Sequence, residues 1–305
     1  MKIGVTGGAG FIGSYLIREL IKHGYEVKVI DNLSNGELKN IENLPIDFVQ
    51  ADILNHDSLA DFFVTCDHII HLAALGSVPR SLSNPVEVFN SNVIGTLNVL
   101  EFARQFRTPI LMTSSSSVYG SNTVIPKTEF DWLNPISPYA ASKLSCEALF
   151  SAWAHSYKLN LTVLRLFNVF GPRQKKDGPY SAVIPKWCNC IINKKPIEIF
   201  GDGNQMRDFT FVGDVVSVIL ECLKNKINFQ LPINLAYGNE ISLNDLAGLF
   251  KKINPTTEIS YSEKRNGDII NSVSSGLKIR ELFPNIYPTA FDEALEKTLD
   301  WYFKS

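Results

Sequence analysis

A glycine-rich turn near the start of the chain constrains the fold more than any other feature. Residues 2–6 read as a short apolar strand, and residues 11–23 repeat Ile12, Leu16 and Leu20 at helical spacing. Gly7-Gly8-Ala9-Gly10-Phe11-Ile12-Gly13 joins the two. A turn this tight brings backbone N–H groups and a helix N-terminus up to a pyrophosphate. A glycine run can also be no more than a tight turn, but this one opens a strand–helix–strand unit. Asp31 ends the second strand, roughly 20 residues past the last glycine, where a carboxylate is expected to hold ribose hydroxyls. That charge repels a 2′-phosphate and no Lys or Arg follows at once, so the predicted cofactor is NAD rather than NADP. Asp52-Ile53, after the third strand, either borders the adenine or closes a turn.

Further strands are predicted over 27–30, 47–50, 68–71, 109–113 and 161–166. Between them, helices are expected over 58–64 with Asp57 as cap, over 85–106 and over 137–157. Alternation of this kind specifies an α/β fold with a Rossmann-type doubly wound parallel sheet. The pattern loosens near residue 170. The expected division is an NAD-binding domain over 1–170 and a smaller α/β substrate-binding domain over 171–305, with a segment near 209–224 returning to the first. A chain of 305 residues buries a full core without staples, and its five cysteines form no C-x-x-C pair. Isolated thiols suit a reducing compartment, and the opening Met-Lys-Ile-Gly-Val-Thr reads as a strand rather than a leader, so a cytoplasmic location is expected. A net charge of -2 and the lack of an apolar run of about 20 residues argue against nucleic-acid and membrane partners.

Ser137-Pro138 is a natural cap and first turn for the helix that follows, which places Tyr139 and Lys143 one turn apart on one face. A phenol is a poor base near neutral pH until neighbouring positive charge favours its phenolate form. Such a pair on an exposed helix could equally be structural. The serine run Thr113-Ser114-Ser115-Ser116-Ser117-Val118-Tyr119-Gly120 follows the fifth strand, at the sheet edge where α/β folds bind ligands.

With these motifs together, the sequence resembles the extended short-chain dehydrogenase/reductase family, and within it the nucleotide-sugar epimerases. The resemblance spans nearly the whole chain. It rests on the glycine turn, HLAALGSVPRS at 71–81, NVIGT at 92–96, the serine run, Tyr139/Lys143, RLFNVFG at 165–171, GDGNQMRDF at 201–209 and RNGD at 265–268. HLAALGSVPRS and GPYSAVIPKW at 178–187 look most like bacterial UDP-N-acetylglucosamine 4-epimerases. The resemblance implies that Tyr139 is the base, that Lys143 favours its phenolate and holds the nicotinamide ribose, and that Ser115 hydrogen-bonds the sugar's 4-hydroxyl. It implies an NAD site built from Gly7, Gly10, Phe11, Ile12, Asp31, Asn32, Asp52, Ile53, Leu72, Ala73, Ala74, Asn92, Tyr139, Lys143 and Phe167. A UDP-sugar is the implied substrate partner, and a homodimer through the helices over 85–106 and 137–157 the implied assembly.

The nucleotide end is implied to use Asn168, Ala182, Val183, Trp187, Phe200, Arg207 and Arg265, with Phe200 stacking on the base and the arginines gripping the diphosphate. Gly76, Ser77, Val78, Ser115, Ser116, Tyr139, Asp268 and Ser272 are implied around the sugar. Ser116 and Ser117 stand where the family's dehydratases carry an Asp-Glu pair, and its decarboxylases carry a Glu at the second position. Elimination of water needs that extra acid and base, whereas epimerisation needs neither. Ser272, seven residues past the arginine of RNGD, falls where the family sets the space beside the sugar's carbon 2, and a small residue there admits an N-acetyl group. The expected reaction is interconversion of UDP-N-acetylglucosamine and UDP-N-acetylgalactosamine, with the plain UDP-hexoses or the uronate form as alternatives. Phe200 replaces an asparagine of that subgroup, Ile270 an arginine and Leu72 a glutamine. A dehydratase, a decarboxylase or a silent NAD-binding scaffold on the same fold are the competing readings. No metal site is expected: His68 and His71 point to opposite faces of one strand.

Overall fold

Strand and helix alternate from the first residues in the computed structural model, which describes residues 1–176, 182–229, 231–264 and 271–304. β1 (Lys2–Thr6) runs through the glycine turn into α1 (Phe11–Lys22), followed by β2 (Glu26–Asp31), β3 (Asp47–Gln50), α2 (His56–Phe63) and β4 (His68–His71). β1, β2 and β4 are buried along most of their length and rich in Val and Ile, as strands covered on both faces must be. α2 starts at His56 and is capped by Asn55, whose side chain accepts the Ser58 N–H. The expected cap, Asp57, lies inside the first turn, where its charge still complements the helix dipole.

The helix expected over 85–106 is interrupted. A short α3 (Val78–Ser83), capped by Ser77, precedes α4 (Pro85–Phe89), a π-turn at Asn90–Ile94 and α5 (Gly95–Phe106). The wider turn holds Asn92 inward and buried. There Asn92 accepts the Leu75 N–H at 2.8 Å and donates to Ser142 Oγ at 2.9 Å. β5 (Ile110–Ser115), a 3₁₀ turn (Ser116–Tyr119), α6 (Pro138–Tyr157, capped by Ser137) and β6 (Leu161–Leu166) complete the first run. β7 (Val169–Phe170), α7 (Val183–Ile192), β8 (Ile197–Phe200), β9 (Met206–Asp208), β10 (Thr210–Phe211), α8 (Val212–Asn225), β11 (Ile233–Leu235), β12 (Glu240–Ser242), α9 (Leu243–Ile253), β13 (Ile259–Ser262), α10 (Leu277–Leu282) and α11 (Phe291–Lys304) follow.

The main sheet has the order β11-β6-β5-β4-β1-β2-β3, and the pairs from β5 through β3 run parallel. Strand order therefore reverses between β1 and β4, the point where a doubly wound sheet opens a crevice for ligand. The chain divides into two compact units. One holds Met1–Gly120, Trp132–Arg165 and Val216–Ile233, and the other Ser121–Asp131, Leu166–Val215 and Asn234–Ser305. Residues 121–131, which the sequence pattern leaves in the first domain, thus belong to the second unit.

The core of the first unit packs Phe62, Phe63, Phe102 and Phe150 under the sheet. In the second unit the Phe170 ring meets those of Phe209, Phe211 and Phe291, and Trp187 meets Phe250 edge-on. Asp208 organises the same unit from inside, accepting backbone N–H groups of Gly238, Asn239 and Ser274, while burial pushes its carboxyl up to about 6. No helix among the described residues is long and apolar enough to cross a membrane.

His71 closes β4 in full burial, between Thr6 Oγ1 at 2.7 Å and Thr96 Oγ1 at 3.0 Å. Burial, and then the charge of Lys143, push its imidazole down to about 3. The unfolded chain therefore takes up a proton near 6.5 that the folded chain refuses, and stability falls as pH drops from about 6.5 toward 3. At pH 5 the loss from His71 alone reaches about 2 kcal/mol, at about 1.4 kcal/mol per unit. Urea unfolding at pH 7, 6 and 5 checks this: His71→Gln should be the less pH-sensitive protein, and equal slopes would count against the assignment.

Candidate active site

At the strand-order reversal, the glycine turn after β1 lies against the segment that follows β4. Gly7 has φ 72, and a Cβ built there would stand 2.6 Å from the Ala73 backbone nitrogen, so only glycine fits. Gly10 precedes α1 as its N-cap and offers no side chain, which leaves the N–H groups of the first turn for another acceptor. Asp31, at the end of β2, is buried; its two oxygens accept Ala9 N–H at 2.9 Å and Leu33 N–H at 2.8 Å. Burial raises its carboxyl above the usual range, and the two backbone donors work against that. Each oxygen keeps a second lone pair for a hydroxyl. A cradle closed to any Cβ, an uncapped helix start and an acid at the tip of the next strand together fit a dinucleotide.

Asp52 closes a turn: one oxygen accepts Leu54 N–H, and the other accepts from the Asn32 amide at 2.6 Å. Neighbouring Ile53 is buried, and its carbonyl is held by Asn98. Two residues expected at the cofactor also hold the framework. Asn92 spends its amide on Leu75 and Ser142, and Phe167 is fully buried, so its side chain belongs to the packing.

Ser115, Tyr139 and Lys143 all lie in the first unit. Ser115 ends β5 and caps the 3₁₀ turn, its Oγ accepting Ser117 N–H at 3.2 Å, an acceptor role that leaves its own proton to donate. Tyr139 opens α6 half-buried. Lys143, one turn on, is buried and donates to the Thr113 carbonyl of β5 at 3.0 Å, two residues before Ser115. A methyl group at Gly76 would stand 4.0 Å from the Tyr139 hydroxyl, so the chain at Gly76 passes near the phenol without crowding it. A hydroxyl donor, a phenol and an ammonium, residue types that can relay a proton, thus lie on two packed elements.

The second unit contains a cavity of about 260 Å³. Six residues expected at the nucleotide line it together: Asn168, Ala182, Val183, Trp187, Phe200 and Arg207. Asn168 donates to the Asp208 carbonyl at 3.1 Å, and Arg207 to the Met206 carbonyl at 2.9 Å. Ser272 flanks Arg207 across a short parallel bridge, with Asp208 N–H to Ser272 O at 2.9 Å and Ser272 N–H to Met206 O at 3.1 Å. The wall also includes Lys186, Glu198, Gln205 and Leu243, which the sequence did not single out. Lys186 Nζ stands 5.3 Å from the centre of the Phe200 ring and 3.6 Å from Glu198. Only the i, i+12 chain spacing joins Lys186 to Glu198 in sequence, too remote to read without the fold. Arg265 and Asp268, and residues 178–181 of the GPYSAVIPKW stretch, lie outside the described residues.

The pattern of the NAD dependent epimerase/dehydratase family matches residues 3–236. A UDP-glucuronate 4-epimerase of Thermodesulfobacterium geofontis is 34% identical, over 97% of this chain and 94% of its own. UDP-glucuronic acid decarboxylase 1 of Xenopus tropicalis is 32% identical, over 99% of this chain and 72% of its own. The solved structure of a UDP-N-acetylglucosamine 4-epimerase from Methanobrevibacter ruminantium, in complex with UDP-N-acetylmuramic acid, superposes with a TM-score of 0.93 at 34% identity, covering 99% of this chain and 98% of that one.

The glycine turn makes a direct prediction. Gly7→Ala forces a side chain into the Ala73 backbone at a left-handed φ. Dinucleotide released from the denatured variant should fall to a small fraction of the wild-type amount, and full retention would show that the turn is not the cradle.

Proposed function

The chain belongs to the NAD dependent epimerase/dehydratase family, and on that premise we propose that it is a UDP-sugar 4-epimerase whose preferred pair is UDP-N-acetylglucosamine and UDP-N-acetylgalactosamine. NAD is its cofactor. The single observation that carries the proposal is the set Ser115, Tyr139 and Lys143, with hydroxyls rather than carboxylates at Ser116 and Ser117. Bound at the glycine turn, NAD supplies the hydride acceptor and donor. Tyr139 takes the proton of the sugar's 4-hydroxyl and later returns one, and Ser115 hydrogen-bonds the same oxygen. Lys143, one turn beyond Tyr139 and anchored on the Thr113 carbonyl, holds the nicotinamide ribose. Phe200, Asn168 and Arg207 hold the nucleotide in the second unit's cavity.

A decarboxylase is the strongest rival, since a relative of that name covers almost the whole chain. Its chemistry wants the acid that Ser116 and Ser117 do not offer. Val86, Phe89 and Ile94 on the interrupted helix and Tyr157 at the end of α6 are exposed apolar side chains, which supports assembly of the protein as a homodimer through that face.

Incubating the purified protein with UDP-N-acetylglucosamine and separating the epimers tests the reaction. Accumulation of a product that has lost water or carbon dioxide would overturn it. Tyr139→Phe should lower turnover by about 100-fold or more while UDP-sugar binding persists, because only the proton acceptor is lost. Calorimetric titration alongside the epimer assay separates the two effects, and an active variant would remove Tyr139 from the chemistry.

The choice of sugar turns on Ser272. By the resemblance Ser272, paired with Arg207, stands beside carbon 2, where a small side chain admits an acetamido group. One methyl's worth of contact is a modest discriminator, so plain UDP-hexoses should be poorer substrates by roughly 10- to 200-fold. Ser272→Tyr should block the N-acetylated pair and spare the plain one. Unchanged turnover of the N-acetylated sugar in that variant would place carbon 2 elsewhere.

A further inference from the structure

The buried ion pair Arg165–Glu147 lies in the first unit and makes none of the contacts assigned above to chemistry. Arg165, on β6, donates through Nε and Nη2 to the two carboxylate oxygens of Glu147 at 2.9 and 2.8 Å. Its Nη1 donates to the Tyr119 hydroxyl at 2.8 Å. Arg165, Glu147 and Tyr119 are 3%, 5% and 2% exposed. A pair this deep in the protein loses about as much hydration as its attraction returns, and apolar replacements are often as stable. Stability alone is therefore a weak reason for its presence. What the planar guanidinium supplies is fixed geometry: it sets the separation of two elements through forked hydrogen bonds.

Those two elements are the ones that bear the reacting groups. Glu147 sits on α6 one turn beyond Lys143 and two beyond Tyr139, on the same face. Tyr119 ends the 3₁₀ turn that Ser115 begins. The turn is tied at its start by the Ser115 cap. It is tied at its end by Gly120, whose φ of 52 and close approach to the Asn134 carbonyl exclude any side chain. A rigid turn held at Tyr119 has its first residue held too.

We propose that Arg165, Glu147 and Tyr119 are positioning residues that set the Ser115 hydroxyl against the Tyr139 face of α6. The assignment rests on the epimerase reading. None of the three exchanges a proton; they act through the turn, so their loss should lower kcat and leave substrate and cofactor binding alone.

Two variants test this. Tyr119→Phe removes one hydroxyl and keeps the ring. The double variant Arg165→Met with Glu147→Leu replaces the pair by apolar side chains. Both should lose about tenfold or more in kcat, as small misplacements of reacting groups do, with KM for the UDP-sugar within about twofold and NAD content unchanged. Hydrogen exchange should rise in a peptide spanning residues 113–120 and stay unaltered in β1 and β4. Wild-type kcat in Tyr119→Phe would overturn the proposal, and so would a loss matched by equal losses of bound NAD and thermal stability. If the wild-type protein epimerises no UDP-sugar, the epimerase reading fails, and the exchange measurement still decides whether Tyr119 holds the turn. Should the double variant not fold, Tyr119→Phe decides alone.

Discussion

The first unit depends on one close approach, that of the glycine turn to the backbone after β4. Gly7 carries no side chain because the Ala73 nitrogen occupies the space where one would be. The contact forms where strand order reverses, so β1 and β4 are neighbours whose following chains diverge. Just behind it, Thr6 accepts the Ala73 N–H and pairs with His71, and His71 reaches Thr96 on α5. A single line of polar contacts thus ties the turn, the β4 edge and a covering helix together. The imidazole in that line is neutral because it is buried beside an ammonium.

α6 acts as a ruler laid against β5. Its first turn carries Tyr139, its second Lys143 on the Thr113 carbonyl, and its third Glu147 on Arg165. Reacting groups and framework therefore share one face and one spacing. Asp208, buried in the second unit, follows the same rule of saturation: the backbone N–H groups of Gly238, Asn239 and Ser274 donate to it.

Much of this is legible in the sequence itself. Strand and helix order followed from hydrophobic period, the cradle from glycine spacing, and the Tyr139/Lys143 pair from one helical turn. The features that escaped reading are those decided by partners remote in sequence. Asn55 outcompetes Asp57 as cap because the helix starts two residues sooner, a difference of local geometry that composition does not reveal. Arg165 and Glu147 find each other 18 residues apart, on a strand and a helix that meet only in the fold. Residues 121–131 leave no signal of their passage into the second unit, since nothing in their composition marks a boundary.

The π-turn at Asn90–Ile94 bears on how this segment can change over time. One added residue in a helical turn rotates everything after it by about 100° and shifts it by about 1.5 Å. Removing a residue between Pro85 and Phe106 would give a more regular helix, yet it would swing Asn92 away from Leu75 and Ser142, or α5 away from the core beneath it. Substitutions on the outward face leave both intact. The segment is thus free to vary on its outward face and bound in length, so an aligned relative with a gap at this point would need a different link between the β4 loop and α6.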